Sequence, residues 1–110
     1  MGKASVDLLQ GSLDLLILAV LAEEELHGWG VSRRIRELSG EVLAVNQGSL
    51  YPALYRLEDR GLLRSRWGVS PEGRRAKLYR LTASGTGALR SERANWRLFT
   101  GAVEQILAET

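Results

Sequence analysis

The 110-residue sequence predicts a mainly α-helical protein with one small β-hairpin. Four stretches carry apolar residues at the three- and four-residue spacing of a buried helix face. Between the third and fourth stretches, residues 63–69 and 75–81 alternate apolar and polar side chains, as paired strands do. These observations give the order helix, helix, helix, hairpin, helix.

The first two helices are predicted over residues 8–22 and from Gly28 onward. The first is apolar nearly all round, which indicates a helix buried on most of its sides. In the second, Val31, Ile35 and Leu38 follow one another at four and three residues, on one face. A Ser-Gly pair follows this helix, and glycine is typical of a helix end.

The third helix is predicted to begin at the N-cap residue Asn46 and to end at Gly61. Its inward face carries three leucines, Leu50, Leu54 and Leu57. Pro52 lies within the helix and removes one backbone hydrogen bond, so we expect a kink or a short first turn there.

The hairpin is predicted from two strands around a four-residue turn at residues 70–73. This Ser-Pro-Glu-Gly segment has proline second and glycine fourth, the pattern of a type I turn. The alternation places Leu63, Trp67 and Val69 on one face of the first strand, and Arg64 and Arg66 on the other.

Positive charge is concentrated in the third helix and the hairpin. Residues 56–80 contain eight Lys and Arg against three Asp and Glu, a net charge of +5, whereas the whole chain carries +2. Salt limits the reach of each charge to about 8–10 Å, so the local charge decides the attraction to a polyanion. A solvated basic face without a partner is the alternative interpretation.

A helix beside a cationic hairpin is suited to binding double-stranded DNA, because a helix fits the major groove and arginines bind phosphates. The order of the elements is that of a winged helix-turn-helix, and DNA binding is the leading hypothesis. Arg56 is the best candidate for reading guanine, since its fork matches O6 and N7. For Tyr51 and Tyr55, packing against neighbouring helices is the alternative. The expected DNA-binding residues are Gln47, Ser49, Tyr51, Pro52, Tyr55, Arg56, Arg74, Arg75 and Lys77. The helical period places Gly48, Pro52, Tyr55, Arg56 and Asp59 on the outward face of the helix.

A last long helix is predicted from Ala83, capped by Thr82, to about Ala108. Its apolar residues repeat on a heptad as Leu89, Trp96, Phe99, Val103 and Ile106. The preceding helices and hairpin are expected to close their own core, so this seam predicts a homodimer. Packing back onto the first helix is the alternative. We therefore expect a winged-helix domain over residues 8–82 and a dimerisation helix over residues 83–110, in one compact unit.

The composition disfavours an enzyme, a cofactor-binding protein and a membrane protein. His27 is the single histidine, at a position that favours packing or helix capping, and no cysteine accompanies it. The glycines form no phosphate-binding loop, and residues 23–25 form a solvated acidic helix end. Without cysteine the cytoplasm is the expected compartment, and no apolar run approaches the roughly 18 residues of a membrane span.

Four motifs resemble the PadR family of bacterial transcriptional regulators, in particular its short subfamily with one C-terminal helix. The motifs are LLQGSLDLLIL at 8–18, HGWGVSRRI at 27–35, VNQGSLYPALYRLEDRGLL at 45–63 and GRRAKLYRLTASG at 73–85. The resemblance implies a winged-helix repressor that binds an inverted repeat as a homodimer.

The resemblance also implies a possible aromatic effector, because some short members bind flat aromatic molecules between their two subunits. Trp96 stands at the matching position, and Leu8 and Leu15 are candidates for the walls. A Trp96 that is simply the largest residue of the dimer seam is the alternative. For the whole protein, the alternative function is a ligand-binding or protein-interaction module with little affinity for DNA.

Overall fold

The computed structural model describes residues 10–110, which form four helices and a three-stranded sheet. The helices are α1 (Gln10–Glu23), α2 (Gly28–Leu38), α3 (Gln47–Asp59) and α4 (Ala83–Ala108), and the strands are β1 (Leu26–His27), β2 (Leu63–Val69) and β3 (Arg75–Leu81). The predicted order of helices and hairpin is confirmed.

Short polar side chains fix the ends of the helices where the sequence predicts them. The Asn46 carboxamide oxygen accepts a hydrogen bond from the Ser49 backbone N–H at 2.8 Å, which caps α3. Gly61 ends the same helix with φ of +78°, a left-handed conformation that favours glycine. Pro52 lies inside α3, which runs without a break from Gln47 to Asp59.

The core lies between the four helices and one face of the sheet. Tyr79 of β3 is 1% exposed and is the largest of its fully buried side chains. The next largest fully buried side chains are Ile17, Leu18, Val31, Leu50, Leu54 and Leu57. The three leucines predicted to face inward from α3 therefore all lie in this core.

The sheet contains one strand that the sequence did not predict. Its order is β1-β3-β2 with antiparallel pairing, and β1 pairs Leu26 with Tyr79 and His27 with Leu78. A strand of two residues is too short to show a periodicity, so nothing in the pattern indicates it. It attaches the start of α2 to the edge of the hairpin.

The first turns of α4 belong to the core of the chain, which corrects one expectation about the dimer seam. Leu89 is only 9% exposed and joins the core cluster, and α4 contacts α1. The three helices and the hairpin thus do not close the core alone. For the beginning of α4, packing back onto the first helix is the arrangement found.

A polar joint holds the start of α4 against the end of α3. The Thr82 hydroxyl donates to the Gly61 carbonyl at 2.7 Å and accepts from the Gly85 N–H at 3.0 Å. A Cβ at Gly85 would collide with the Leu62 carbonyl oxygen, so only glycine permits this close approach. None of the described helices is both long and apolar enough to cross a membrane.

Candidate nucleic-acid interface

The outer face of α3 is uncovered from its first turn onward. Residues 47–49 are exposed, as is Pro52, and Tyr55 is 51% exposed. The opposite face is buried at Leu50, Ala53, Leu54 and Leu57. The N-terminal half of α3 therefore presents small and polar side chains to solvent, as the sequence predicts.

Tyr51 packs against the neighbouring helix, whereas Tyr55 does not. Tyr51 is half-buried, and a Cβ at Gly28 would lie 2.7 Å from its Cε1 and 2.9 Å from its hydroxyl oxygen. Gly28 thus provides the space that the Tyr51 ring occupies at the start of α2. The two tyrosine rings lie 6.3 Å apart, centroid to centroid.

Arg56 does not lie free on the outward face of α3, which corrects its expected orientation. Its Nη2 lies 2.6 Å from Oδ1 of Asp14 on α1, and the two side chains are 35% and 20% exposed. The pair forms because α1 packs beside α3 and brings an acidic side chain to this position. Of the nine expected DNA-binding residues, Arg56 alone forms an ion pair among residues 10–110.

The hairpin β2–β3, hereafter the wing, lies along α3. The Ser65 hydroxyl donates to the Glu58 carboxylate near the end of α3. Farther along the wing, Lys77 Nζ lies 5.9 Å from the centroid of the Tyr55 ring. These two contacts place β2 beside α3 and bring Lys77 of β3 to the exposed Tyr55, so the helix and the wing form one continuous surface.

The wing also exposes a large aromatic residue that the sequence analysis did not assign to the site. Trp67 is 58% exposed, and the Arg75 guanidinium carbon lies 4.8 Å from the centroid of its ring. The alternation correctly put Trp67 on the same face as Leu63, but the core ends before the wing does. A tryptophan among the exposed arginine and lysine side chains of the wing was the signal that could have assigned it to the site.

A cleft of about 640 Å³ opens between the wing, the start of α2 and Tyr51. It is lined by residues of β1, α2, α3, β3 and the wing turn, namely His27, Trp29, Tyr51, Arg74 and Arg75, together with Ser70, Glu72 and Ala76. Arg74 and Arg75 are both exposed. The cleft therefore joins part of α3 to the cationic end of the wing.

The far half of α4 carries exposed apolar side chains at the positions predicted for a dimer seam. Trp96 is 44% exposed, Phe99 62% and Ile106 67%, and Val103 is half-buried. The Trp96 and Phe99 rings lie 6.2 Å apart. Leu107, 57% exposed, extends this stripe, since it lies four residues after Val103. Beyond Leu89 the predicted seam is thus exposed at Trp96, Phe99 and Ile106 and half-buried at Val103.

Two of the three residues expected to bind an aromatic effector lie in the part of the chain that the structure describes. Trp96 stands on the exposed stripe of α4, whereas Leu15 is partly buried against the core. Leu8 lies outside the described residues. Within residues 10–110, no group of three metal-ligating side chains converges on one point.

Three helices followed by a β-hairpin, with the third helix exposed beside it, define a winged helix-turn-helix. Residues 17–91 match the sequence profile of the transcriptional regulator PadR-like family. The transcriptional regulator Rv3488 of Mycobacterium tuberculosis is 39% identical over 84 residues, which are 76% of this chain and 75% of that protein. The chain belongs to the PadR-like family, and it is a transcriptional regulator and not an enzyme.

Solved structures of the same family have the same fold. A PadR family transcription regulator from Clostridium difficile aligns with a TM-score of 0.74 at 29% identity, covering 86% of this chain and 97% of the other. A PadR family regulator from Eggerthella lenta gives 0.74 at 31% identity, with 89% and 83% covered. The aligned share of this chain is therefore larger than the winged-helix domain alone.

Proposed function

We propose that the protein binds double-stranded DNA sequence-specifically, with α3 in the major groove and the wing on the adjacent backbone. The observation that carries the proposal is the continuous surface of α3 and the wing, which the described chain leaves open. The N-terminal turn of α3 offers polar side chains at residues 47–49 for base edges and phosphates.

The wing residues supply the charge in this proposal. Arg74, Arg75 and Lys77 bind phosphates or the minor groove, as cationic side chains outside the reading helix do. Tyr55 and Pro52 contact the major groove from the outer face of α3. Tyr51 contacts it from the side of the helix, between the outer and the buried face. Arg56 reaches a base only after leaving Asp14, so it contributes less to recognition than its residue type predicts.

We propose that the protein acts as a homodimer on an inverted-repeat operator. The exposed apolar stripe of α4, from Trp96 to Leu107, supports a second copy as its cover, because apolar side chains of this size gain free energy when they leave water. A two-fold dimer then places its α3 helices about one helical turn, roughly 34–36 Å, apart on the DNA. Repression follows where the bound dimer excludes the polymerase.

A small aromatic effector fits the same proposal. Trp96 and Phe99 already lie 6.2 Å apart with their rings tilted by 40°, and both remain exposed in the single chain. A flat aromatic molecule held by Trp96 between two α4 helices would change their spacing and release the operator. Trp96 as a purely apolar seam residue predicts dimerisation without such a ligand.

Selection of bound duplexes from a random pool, followed by fluorescence anisotropy at several salt concentrations, tests the proposal. We expect a palindromic site, with an affinity that falls linearly with salt on a log–log scale. A ligand-binding or adaptor module would select no common sequence and show no such dependence. A reporter gene behind the selected site then distinguishes repression from activation.

A further inference from the structure

The single histidine of the chain has one nitrogen in use and one left over. His27 is the N-cap of α2, and its Nδ1 accepts a hydrogen bond from the Gly30 backbone N–H at 3.1 Å. A nitrogen that accepts carries no proton, so the capping imidazole is the neutral tautomer with its proton on Nε2. Nε2–H is therefore a hydrogen-bond donor.

No acceptor meets this donor in the described part of the chain. The Gly30 bond is the only hydrogen bond of the His27 side chain among residues 10–110. The ring is nevertheless held in place, because it lies nearly parallel to the Trp29 ring, at an interplanar angle of 6° and a centroid distance of 6.1 Å. Pairing of His27 with Leu78 fixes its backbone as well.

The imidazole lines the cleft between α2 and the wing, and so do two arginines. Arg74 and Arg75 line the same cleft, and no carboxylate pairs with either within residues 10–110. Tyr51, held against Gly28, adds a hydroxyl from α3. Glu72 is the one acidic side chain of the lining, against two cations.

We propose that this cleft binds one phosphodiester group of the DNA backbone, with His27 Nε2–H as a neutral donor to a phosphate oxygen. Arg74 and Arg75 supply the positive charge that an anion needs, and the fixed imidazole supplies direction. The occupant is a backbone phosphate because the cleft joins α3 to the wing, where a strand passing from one to the other must run. The inference rests on the proposed binding of DNA.

His27→Asn separates the two roles of the side chain. Asparagine keeps an oxygen at the capping position and is among the best N-cap residues. Its amide N–H donors take the place of Cδ2 on a shorter side chain, so no donor reaches the position of Nε2. We expect duplex binding to weaken about tenfold for selected and random sequences alike, since a lost hydrogen bond to a charged group is worth at least about a factor of ten. A thermal midpoint at or above that of the wild type shows that the cap is kept.

The salt dependence distinguishes a neutral donor from a charge. We expect His27→Asn to leave the slope of log K against log [salt] unchanged, because a neutral imidazole releases no counterion. Arg75→Gln removes a charge from the same cleft and should flatten the slope by about 0.9. A His27→Asn variant with wild-type DNA affinity would overturn the phosphate site, whereas a wild-type protein without DNA affinity would overturn the proposed function instead.

A direct readout needs no substitution, because one histidine gives one set of imidazole signals in NMR spectra of the ¹⁵N-labelled protein. We expect the Nε2 resonance to shift when a selected duplex is added, and to stay in place with the same concentration of inorganic phosphate. An Nε2 resonance that saturating duplex leaves unmoved would contradict the proposal. Equal shifts with inorganic phosphate would assign the cleft to small anions and also contradict it.

Discussion

Arg56 of α3 and Asp14 of α1 form an ion pair, with 2.6 Å between Nη2 and Oδ1. The two residues are 42 positions apart in the sequence and come from the first and third helices. The pair therefore adds a polar contact between two helices that already share the apolar core.

We expect Arg56→Ala to weaken selected and random duplexes by similar factors, because the guanidinium is held by Asp14. The free energy of unfolding should fall by at most about 1 kcal/mol, since the pair is partly exposed. Anisotropy titrations and urea unfolding measure the two effects. A loss confined to the selected sequence would instead identify Arg56 as a reader of guanine.

Gly28→Ala should displace Tyr51, since the new Cβ would lie 2.7 Å from its ring. We expect a loss of duplex affinity with a moderate loss of stability, about 1–3 kcal/mol, the range for overpacking. Gly87→Ala is the matched control, at an exposed helical position where nothing lies within 4 Å of the added Cβ. It should leave DNA binding unchanged and stabilise α4 by about 0.5–1 kcal/mol. Equal behaviour of the two variants would rule out steric positioning of Tyr51.

Trp96→Ala should weaken dimerisation by at least about tenfold, since tryptophan is enriched among the interface residues whose truncation costs about 2 kcal/mol or more. Leu98→Ala is the control, because Leu98 is 74% exposed and lies off the stripe that contains Phe99 and Val103. Sedimentation equilibrium measures both dissociation constants. A wild-type protein that sediments as a monomer, or equal effects of both variants, would disprove dimerisation through this stripe.

The buried Tyr79 should make the free energy of unfolding decrease at high pH. Burial raises the pKa of Tyr79 to about 12, helped by Tyr55, Glu58 and Tyr51 nearby. In the unfolded chain its ordinary pKa is about 10, so above that pH the unfolded state loses a proton that the folded state keeps. Stability should therefore fall as the pH rises from about 10 to about 12, by at most about 2–3 kcal/mol.

Tyr79→Phe removes this titration, so its free energy of unfolding should decline less steeply over the same range. Urea unfolding of both proteins at several alkaline pH values gives the comparison. Parallel curves for the wild type and Tyr79→Phe would contradict the linkage.

Local patterns predicted most of the fold, because the caps and turns of this chain are decided within a few residues. Asn46 and Thr82 cap the helices that follow them, and the N–H of Gly73 closes the wing turn on the Ser70 carbonyl at 2.9 Å. The leucines of α3 face inward because their spacing matches the helical period.

The features that the sequence did not predict depend on contacts between distant segments. The prediction that Arg56 points outward was wrong, because its partner Asp14 lies 42 residues away in the chain and no local pattern indicates their contact. Leu89 fits a heptad with Trp96, yet it is buried in the core of its own chain, where α4 contacts α1. The cleft at His27 likewise forms only when β1 joins the wing.

The Thr82 hydroxyl is hydrogen-bonded to both Gly61 and Gly85, which restricts hinge motion between α3 and α4. If α4 pairs with α4 of a second chain, a change in the crossing angle of the two helices would rotate each winged-helix domain as a rigid body. A small change at the dimer interface would then alter the spacing and relative orientation of the two α3 helices on the DNA.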